Sequence, residues 1–213
     1  MKQVILICGF RRSGKDHFGS LLYNSRTHDV VKTGQSPSWK LYGKRDIKLQ
    51  LGQNPIRKAF ADKLKEEVSE KYDIPLVIPE QLKDEKIFER EGEYFSSRDF
   101  CVEWAGYRRS QDPEYWIKKC MEDPTLNSGQ NSHTLVITDW RYHNESNYLS
   151  LMRPAVTVRV YRSCVPEPPL LSHEEHQLDN VLTDYLAVTS EEEFIRATIR
   201  FSQYVNYAFV QDV

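Results

Sequence analysis

The chain has 213 residues, of which 29 are basic and 31 acidic, and its formal net charge is −2. This balance does not suit a general binder of nucleic-acid polymers or of membranes, so a small-molecule partner is expected. The length suits one domain over residues 1–213. Its four cysteines are scattered without a C-x-x-C pair, and no signal-like segment opens the chain, so a cytoplasmic location is expected.

The first predicted element is a buried strand, Val4–Ile7, which runs directly into the loop Gly9-Phe10-Arg11-Arg12-Ser13-Gly14-Lys15-Asp16. Two glycines five positions apart let the backbone N–H groups surround a phosphate, and the following helix presents its positive end. Lys15 supplies a cation for the terminal phosphates, so the spacing indicates a loop that binds a nucleoside triphosphate. Asp16 stands where such loops usually carry Ser or Thr to bind Mg²⁺.

The helix after the loop is predicted to turn Phe18 and Leu22 inward. Val30-Val31 is a candidate for a second short strand. Residues 34–55 are rich in glycine, proline and polar side chains, which predicts a long irregular excursion.

From Pro55 onward an apolar residue recurs at every fourth position, which predicts an amphipathic helix that ends near residues 73–75. Further helices are predicted over 79–90, 96–107 and 113–121. The apolar positions of the helix predicted from Pro55 onward are Ile56, Phe60, Leu64, Val68 and Tyr72.

Three later segments are predicted to be strands: 135–137 is a continuous apolar run, Val156, Val158 and Val160 alternate with other residues over 156–160, and 185–188 is a further candidate. Ser190 and Glu193 form a capping-box pattern that starts a C-terminal helix. Strands that alternate with helices predict the α/β class with a mostly parallel sheet. The inward positions predicted for the last helix are Phe194, Ile195, Ile199 and Val205.

Asp139 directly follows the strand at 135–137, and Gly9 follows the first strand. In a parallel sheet both would lie at the carboxyl edge, where ligands bind. The Asp139 carboxylate would then hold Mg²⁺ directly or through water, although a helix-capping aspartate is the plainer alternative. Asp16 would either act on the water shell of the metal or orient the loop.

Phosphoryl transfer is catalysed mainly by positioning and by cations around the migrating group, so arginines are expected near the loop. Arg11 and Arg12 lie in the loop, and Arg141 follows Asp139. Arginine suits this role because its planar fork binds phosphate oxygens in pairs. Further candidates are Arg98, Arg108, Arg109 and Arg162, and pairing with surface carboxylates is the open alternative for Arg108 and Arg109.

Several short motifs resemble those of phage-type deoxynucleoside monophosphate kinases and, through related positions, animal-type phosphomevalonate kinases. Both likenesses extend over residues 4 to about 186. Both families share Gly-x-x-Arg-Ser-Gly-Lys-Asp with this chain. The phage-type likeness also includes Phe60-Ala61-Asp62-Lys63-Leu64-Lys65, Pro113-Glu114-Tyr115-Trp116 and Thr138-Asp139-Trp140-Arg141-Tyr142-His143-Asn144-Glu145. The phosphomevalonate likeness includes Leu64-Lys65-Glu66, Arg98, Trp104, Arg109, Asp112-Pro113 and Leu178-Asp179-Asn180.

This resemblance implies a P-loop kinase-like, three-layer α/β/α fold with a short lid over 163–175, and ATP and Mg²⁺ as cofactors. It implies that Asp after the loop lysine is a family trait, whereas His17 departs from the threonine common there. The implied catalytic residues are Lys15, Asp16 and Arg141, and the implied metal ligands are Asp16 and Asp139. The implied ATP-binding residues are Gly9, Arg11, Arg12, Ser13, Gly14, Lys15, Asp16 and His17, and the implied substrate-binding residues are Lys65, Arg98, Arg109 and Arg141.

The activity expected from this resemblance is transfer from ATP to a phosphomonoester. A nucleoside monophosphate is favoured over phosphomevalonate, because Arg141 is followed by Tyr142 rather than a second arginine and Phe10 stands where phosphomevalonate kinases carry lysine. The alternative from another class is a scaffold that binds ATP without transfer, suggested by His17 and by a lid region without arginine beyond Arg162.

Overall fold

The computed structural model describes residues 3–24, 39–43, 55–126, 134–165, 176–201, 204 and 206–212. The chain divides into two compact units, one formed by Met1–Lys58 with Pro124–Val213 (unit 1) and the other by Ala59–Asp123 (unit 2). Strands and helices together confirm the predicted α/β class. No helix in the described ranges is long and apolar enough to cross a membrane.

The elements of the described chain are numbered in sequence order. The strands are β1 (Val4–Cys8), β2 (Lys40–Gly43), β3 (Ile56–Lys58), β4 (Phe88–Arg90), β5 (Glu93–Phe95), β6 (Leu135–Ile137), β7 (Ala155–Val160), β8 (Tyr185–Val188) and β9 (Ala208–Asp212). The helices are α1 (Lys15–Asn24), α2 (Phe60–Tyr72), α3 (Ser97–Gln111), α4 (Tyr115–Met121), α5 (His143–Met152) and α6 (Glu191–Phe201).

Unit 1 contains a seven-stranded sheet in the order β3-β6-β1-β7-β8-β2-β9. The first five strands run parallel, whereas β2 is antiparallel to both β8 and β9. Among the five parallel strands, the next one after β1 in the chain is β3, on one side of the β1–β7 pair, and the next one after β7 is β8, on the other side. These two neighbouring strands therefore form a topological switch point, and the crevice beyond their carboxyl ends is where such sheets bind ligands.

All five residues of β1 are buried. A strand that is covered on both faces exposes no side chain to water, so an apolar residue at every position suits the central place of β1 in the sheet. Ile5 and Ile7 pack with Phe18 and Leu22 of α1, as predicted for that helix. The other face of the sheet packs against α6 through Ala197, Phe201 and neighbouring aromatic residues.

The inward positions predicted for α6 were partly wrong. Ile195 and Ile199 are 53% and 75% exposed, while Phe194 is partly buried and packs on the core. The buried face instead includes Ala197 and Phe201, and Ala197 was not recognised because a small residue adds little to an apolar pattern. Val205 lies outside the described residues.

Other predicted elements also differ from the structure. The irregular excursion at 34–55 contains strand β2, and Ile56 belongs to strand β3 rather than to the helix, which begins at Phe60. The helix predicted over 79–90 is instead a short 3₁₀ turn followed by the first strand of the β4–β5 hairpin. The strand candidate at 30–31 and the lid residues 166–175 lie outside the described ranges.

Unit 2 holds α2, α3 and α4, whose packing includes Val68, Ile74 and Phe100 in one core cluster. Helix α2 ends as predicted, because Asp73 adopts a left-handed conformation with a φ of 53°. Helix α3 begins with a capping box in which Ser96 Oγ accepts the Asp99 N–H over 3.1 Å and the Asp99 carboxylate accepts the Ser96 N–H over 2.8 Å.

Candidate functional site

The loop from Gly9 to Gly14 joins the carboxyl end of β1 to the first turn of α1. Gly9 and Gly14 have φ values of 149° and 94°, a region that favours glycine. A Cβ atom added at Gly9 would also lie 2.4 Å from the carbonyl oxygen of Val160 at the end of β7. Both glycines are therefore required by the backbone, and the loop lies at the switch point between β1 and β7.

Two hydrogen bonds to one carbonyl group hold the loop in shape. The Ser13 N–H donates to the Phe10 carbonyl oxygen over 3.1 Å, and Lys15 Nζ donates to the same oxygen over 2.9 Å. Arg12, at the tip, has a positive φ of 64°. This arrangement holds the Lys15 ammonium against its own loop, for which the sequence predicts binding of the phosphates of ATP.

Ser13 is 2% exposed, and its Oγ atom makes no hydrogen bond within the described residues. A buried hydroxyl without a partner is uncommon, because removal from water costs about 1–3 kcal/mol when it is not compensated. The same Oγ lies 2.8 Å from the ideal Cβ position at Gly9. Ser13 therefore lines the tight inner side of the loop.

Trp39, the residue before β2, contacts His17, the histidine in the first turn of α1. The Trp39 Nε1–H group donates to His17 Nδ1 over 3.2 Å, and its ring packs against Phe18 and under Gly14. The acceptor role of Nδ1 puts the proton of the neutral ring on Nε2. His17 is thus fixed by a partner, and its predicted contact with ATP stays a prediction.

Asp16 lies in the first turn of α1 with its side chain 75% exposed. Its Oδ1 atom accepts hydrogen bonds from Arg57 Nη2 over 2.6 Å and from Thr138 Oγ1 over 3.0 Å. Its other carboxylate oxygen, Oδ2, has no hydrogen-bond partner within the described residues. The structure thus holds Asp16 through one oxygen and leaves the second oxygen accessible.

The segment after β6 is held close to the loop strand. The Trp140 N–H donates to the Ile7 carbonyl oxygen over 3.1 Å, and Trp140 itself is 2% exposed. The cap of α5 is Tyr142, whose N–H donates to the Glu145 carboxylate. Asp139 is therefore not the N-cap residue of that helix.

The carboxylates present fit a magnesium ion better than a metal ion whose ligands are all protein side chains. No group of three or more His, Cys, Asp or Glu side chains comes together in the described part of the chain. Mg²⁺ usually takes one or two carboxylates and completes its shell with water and substrate phosphates. Asp16, with one carboxylate oxygen left accessible, suits that pattern, and Asp139 follows Thr138, which donates to Asp16; metal binding by both residues stays a prediction.

A small cavity opens beside Gly9 on the α5 and α6 face of the sheet. Arg159 of β7 is 3% exposed there and donates to Tyr204 Oη over 2.9 Å, to the Leu178 carbonyl oxygen and to the Val181 carbonyl oxygen over 3.3 Å. Burial raises the pKa of the adjacent Cys8 thiol and so favours its protonated form. The cavity is lined by Cys8, Gly9, Phe10, Trp140, Arg141, Arg159 and Leu178.

The predicted substrate residues Lys65, Arg98 and Arg109 belong to unit 2, while Arg141 belongs to unit 1. Arg98 Nε lies 2.6 Å from Asp84 Oδ1, and Lys65 Nζ lies 3.9 Å from Asp62 Oδ1. Arg98 thus pairs with an acidic residue of its own unit. Lys65 is exposed, and Arg109 is half-buried at the end of α3.

Arg108 has the surroundings of a structural residue. Its Nε lies 3.1 Å from Glu67 Oε2, which also accepts the Trp104 indole N–H over 2.9 Å. Its guanidinium lies 4.5 Å from the centre of the Trp104 ring and 4.7 Å from that of Tyr115. These contacts within unit 2 favour the alternative that Arg108 pairs with a carboxylate of the protein.

Sequence reasoning missed two arginines of unit 1. Arg57 was hidden because Ile56 fitted the helical pattern so well that the strand before the helix was not recognised. Arg159 could have been noticed as a charge within the apolar alternation of Val156, Val158 and Val160, since a charged residue on a covered strand needs buried partners.

No family model and no curated protein matches the chain.

Proposed function

We propose that the protein is an ATP-dependent phosphotransferase that converts a phosphomonoester to a diphosphate, with a nucleoside monophosphate as the favoured acceptor. The observation that carries this proposal is the glycine-constrained loop with Lys15 at the switch point of the parallel sheet. A P-loop kinase-like fold of three layers with a short lid, and a cytoplasmic location, belong to the same proposal.

In this proposal the loop N–H groups and Lys15 bind the phosphate chain of ATP. The ammonium stabilises the charge that develops between the β- and γ-phosphates, while loop backbone dipoles act from fixed positions. Bound Mg²⁺ would neutralise charge on the same phosphates, and Asp16 and Asp139 are the residues that would hold it. Arg141, which borders the cavity at Gly9, binds the acceptor phosphate and orients it toward the γ-phosphate.

The experiment that tests this proposal is a coupled assay of ADP release with ATP, Mg²⁺ and a panel of phosphomonoesters. The panel contains the ribo- and deoxyribonucleoside monophosphates and phosphomevalonate, and Lys15→Ala is the matched control. ADP release stimulated by one nucleotide class supports the favoured acceptor, and stimulation by phosphomevalonate alone replaces it. ATP binding without stimulation by any member would instead indicate the non-catalytic scaffold.

A further inference from the structure

Arg57 contacts the candidate site from a strand that sequence reasoning did not recognise. It lies on β3, one residue before the carboxyl end of that strand, and its Nη2 atom is 2.6 Å from Asp16 Oδ1. Thr138, directly after β6, donates to the same oxygen over 3.0 Å. Three elements of unit 1 therefore meet at one carboxylate.

The sheet register explains why they meet. β3 and β6 run parallel, with Arg57 beside Val136 and Lys58 beside Ile137, and the Thr138 N–H donates to the Lys58 carbonyl oxygen over 3.2 Å. Both strands thus end at the edge where α1 begins. A residue near the end of β3 is placed by the fold at the edge that holds the phosphate-binding loop.

The Arg57 guanidinium uses only part of its donor capacity. Asp16 takes one nitrogen, and within the described residues Nε and Nη1 make no hydrogen bond. The Arg57 side chain is 39% exposed, so these donors are open to a ligand. A guanidinium presents five N–H donors in a rigid fork that matches phosphate oxygens, and an ion pair at one nitrogen fixes its direction.

We propose that Arg57 is a phosphoryl-binding residue of this site, with Asp16 as the anchor that orients it. This inference rests on the proposed function. The ligand class is a phosphate chain, and the unpaired guanidinium N–H groups donate to its non-bridging oxygens. The Oδ1 atom of Asp16 orients the Arg57 guanidinium, and its Oδ2 atom is left to bind Mg²⁺.

The competing explanation is an ordinary surface ion pair, which contributes little to stability and nothing to binding. The chain offers a matched control, because Arg196 Nη2 lies 2.6 Å from Glu192 Oε1 on the exposed side of α6, and these side chains are 55% and 73% exposed. Replacement of Arg196 removes the same kind of pair away from the loop.

The test is calorimetric titration with inorganic tripolyphosphate, with and without Mg²⁺, on the full chain. This probe carries a phosphate chain but no base or sugar, so it reports phosphate binding alone. The variants are Arg57→Gln, Arg57→Lys, Lys15→Ala and the control Arg196→Gln, each checked by its melting temperature. Arg57→Gln is expected to weaken binding by roughly ten- to hundredfold, the range for a hydrogen bond to a charged group, Arg57→Lys by less, and Arg196→Gln by less than about twofold.

The outcomes separate this inference from the proposed function. Tripolyphosphate binding that is lost in Lys15→Ala but unchanged in Arg57→Gln overturns the role of Arg57 and leaves the loop assignment standing. Wild-type protein that binds neither tripolyphosphate nor ATP overturns both. Equal weakening by Arg57→Gln and Arg196→Gln would show a general charge effect and would also overturn the role of Arg57.

Discussion

The Glu145 carboxylate accepts the backbone N–H of Arg141 over 2.9 Å and that of Tyr142 over 3.1 Å through one oxygen. Glu145 is 3% exposed, so the first turn of α5 fixes the backbone that carries the predicted acceptor-binding arginine. Loss of this carboxylate removes two hydrogen bonds at once.

We expect Glu145→Ala to lower the free energy of unfolding by about 2 kcal/mol, because buried N–H groups lose a charged acceptor. Glu145→Gln keeps one acceptor oxygen and should lose less. Urea denaturation of the wild type and both variants measures the difference. Equal stability of Glu145→Ala and the wild type would show that water replaces the carboxylate without cost.

The parts of the fold that the sequence predicted share a strong local signal. β1, β6 and β8 are apolar runs, β7 alternates apolar residues with others, and α3 starts with a capping residue at Ser96. Each of these signals comes from burial or from a cap within a few residues, so neighbours in the sequence suffice to recognise it.

The missed elements depend on partners that are distant in the sequence. β2 and β9 are strands because they pair with each other and β2 pairs with β8, and β3 has only three residues. Likewise Lys15 was recognisable from loop spacing, whereas the contact of Arg57 with Asp16 requires the register of β3 against β6. Such pairings are set by tertiary structure and leave no periodic pattern.

Lys15→Ala should remove most phosphoryl transfer and leave the fold intact. Lys15 is half-buried rather than part of the buried core, and its ammonium donates to the Phe10 carbonyl oxygen of its own loop. Its loss removes charge stabilisation in the transition state. Steady-state rates beside a circular dichroism melt measure both effects. Activity within a few-fold of the wild type would contradict the loop assignment.

Asp139→Asn should weaken the dependence of turnover on Mg²⁺ and lower turnover more than ATP affinity. The asparagine keeps the shape of the side chain but loses the charge that a divalent cation needs. The measurement is turnover against Mg²⁺ concentration at fixed ATP, with Asp184→Asn as a control carboxylate whose described hydrogen bonds join it to Thr157. Identical metal profiles for Asp139→Asn and the wild type would remove Asp139 from the metal site.

Tyr115 links the stability of unit 2 to alkaline pH. Burial, together with the hydrogen bond that Tyr115 Oη donates to Glu67 Oε1 over 2.5 Å, raises its pKa to about 12. Since the ordinary value is 10.0, the folded state holds this proton more tightly, and the contribution to stability is complete below pH 10 and falls as the pH rises toward 12. The difference in unfolding free energy between the wild type and Tyr115→Phe should therefore shrink over that interval, whereas a constant difference would contradict the linkage.

Arg98→Lys should raise the KM for the acceptor and leave the KM for ATP nearly unchanged. The substitution keeps the charge but loses the planar fork, so it separates paired recognition of a phosphate from simple attraction, at a cost of about 1–3 kcal/mol. Because Arg98 Nε lies 2.6 Å from Asp84 Oδ1, Asp84→Asn is the matched control for the ion pair itself. If Arg98 binds the acceptor, Arg98→Lys raises the acceptor KM far more than Asp84→Asn does. Equal effects of the two variants, or equal rises of both Michaelis constants in Arg98→Lys, would reduce Arg98 to a surface ion pair of α3.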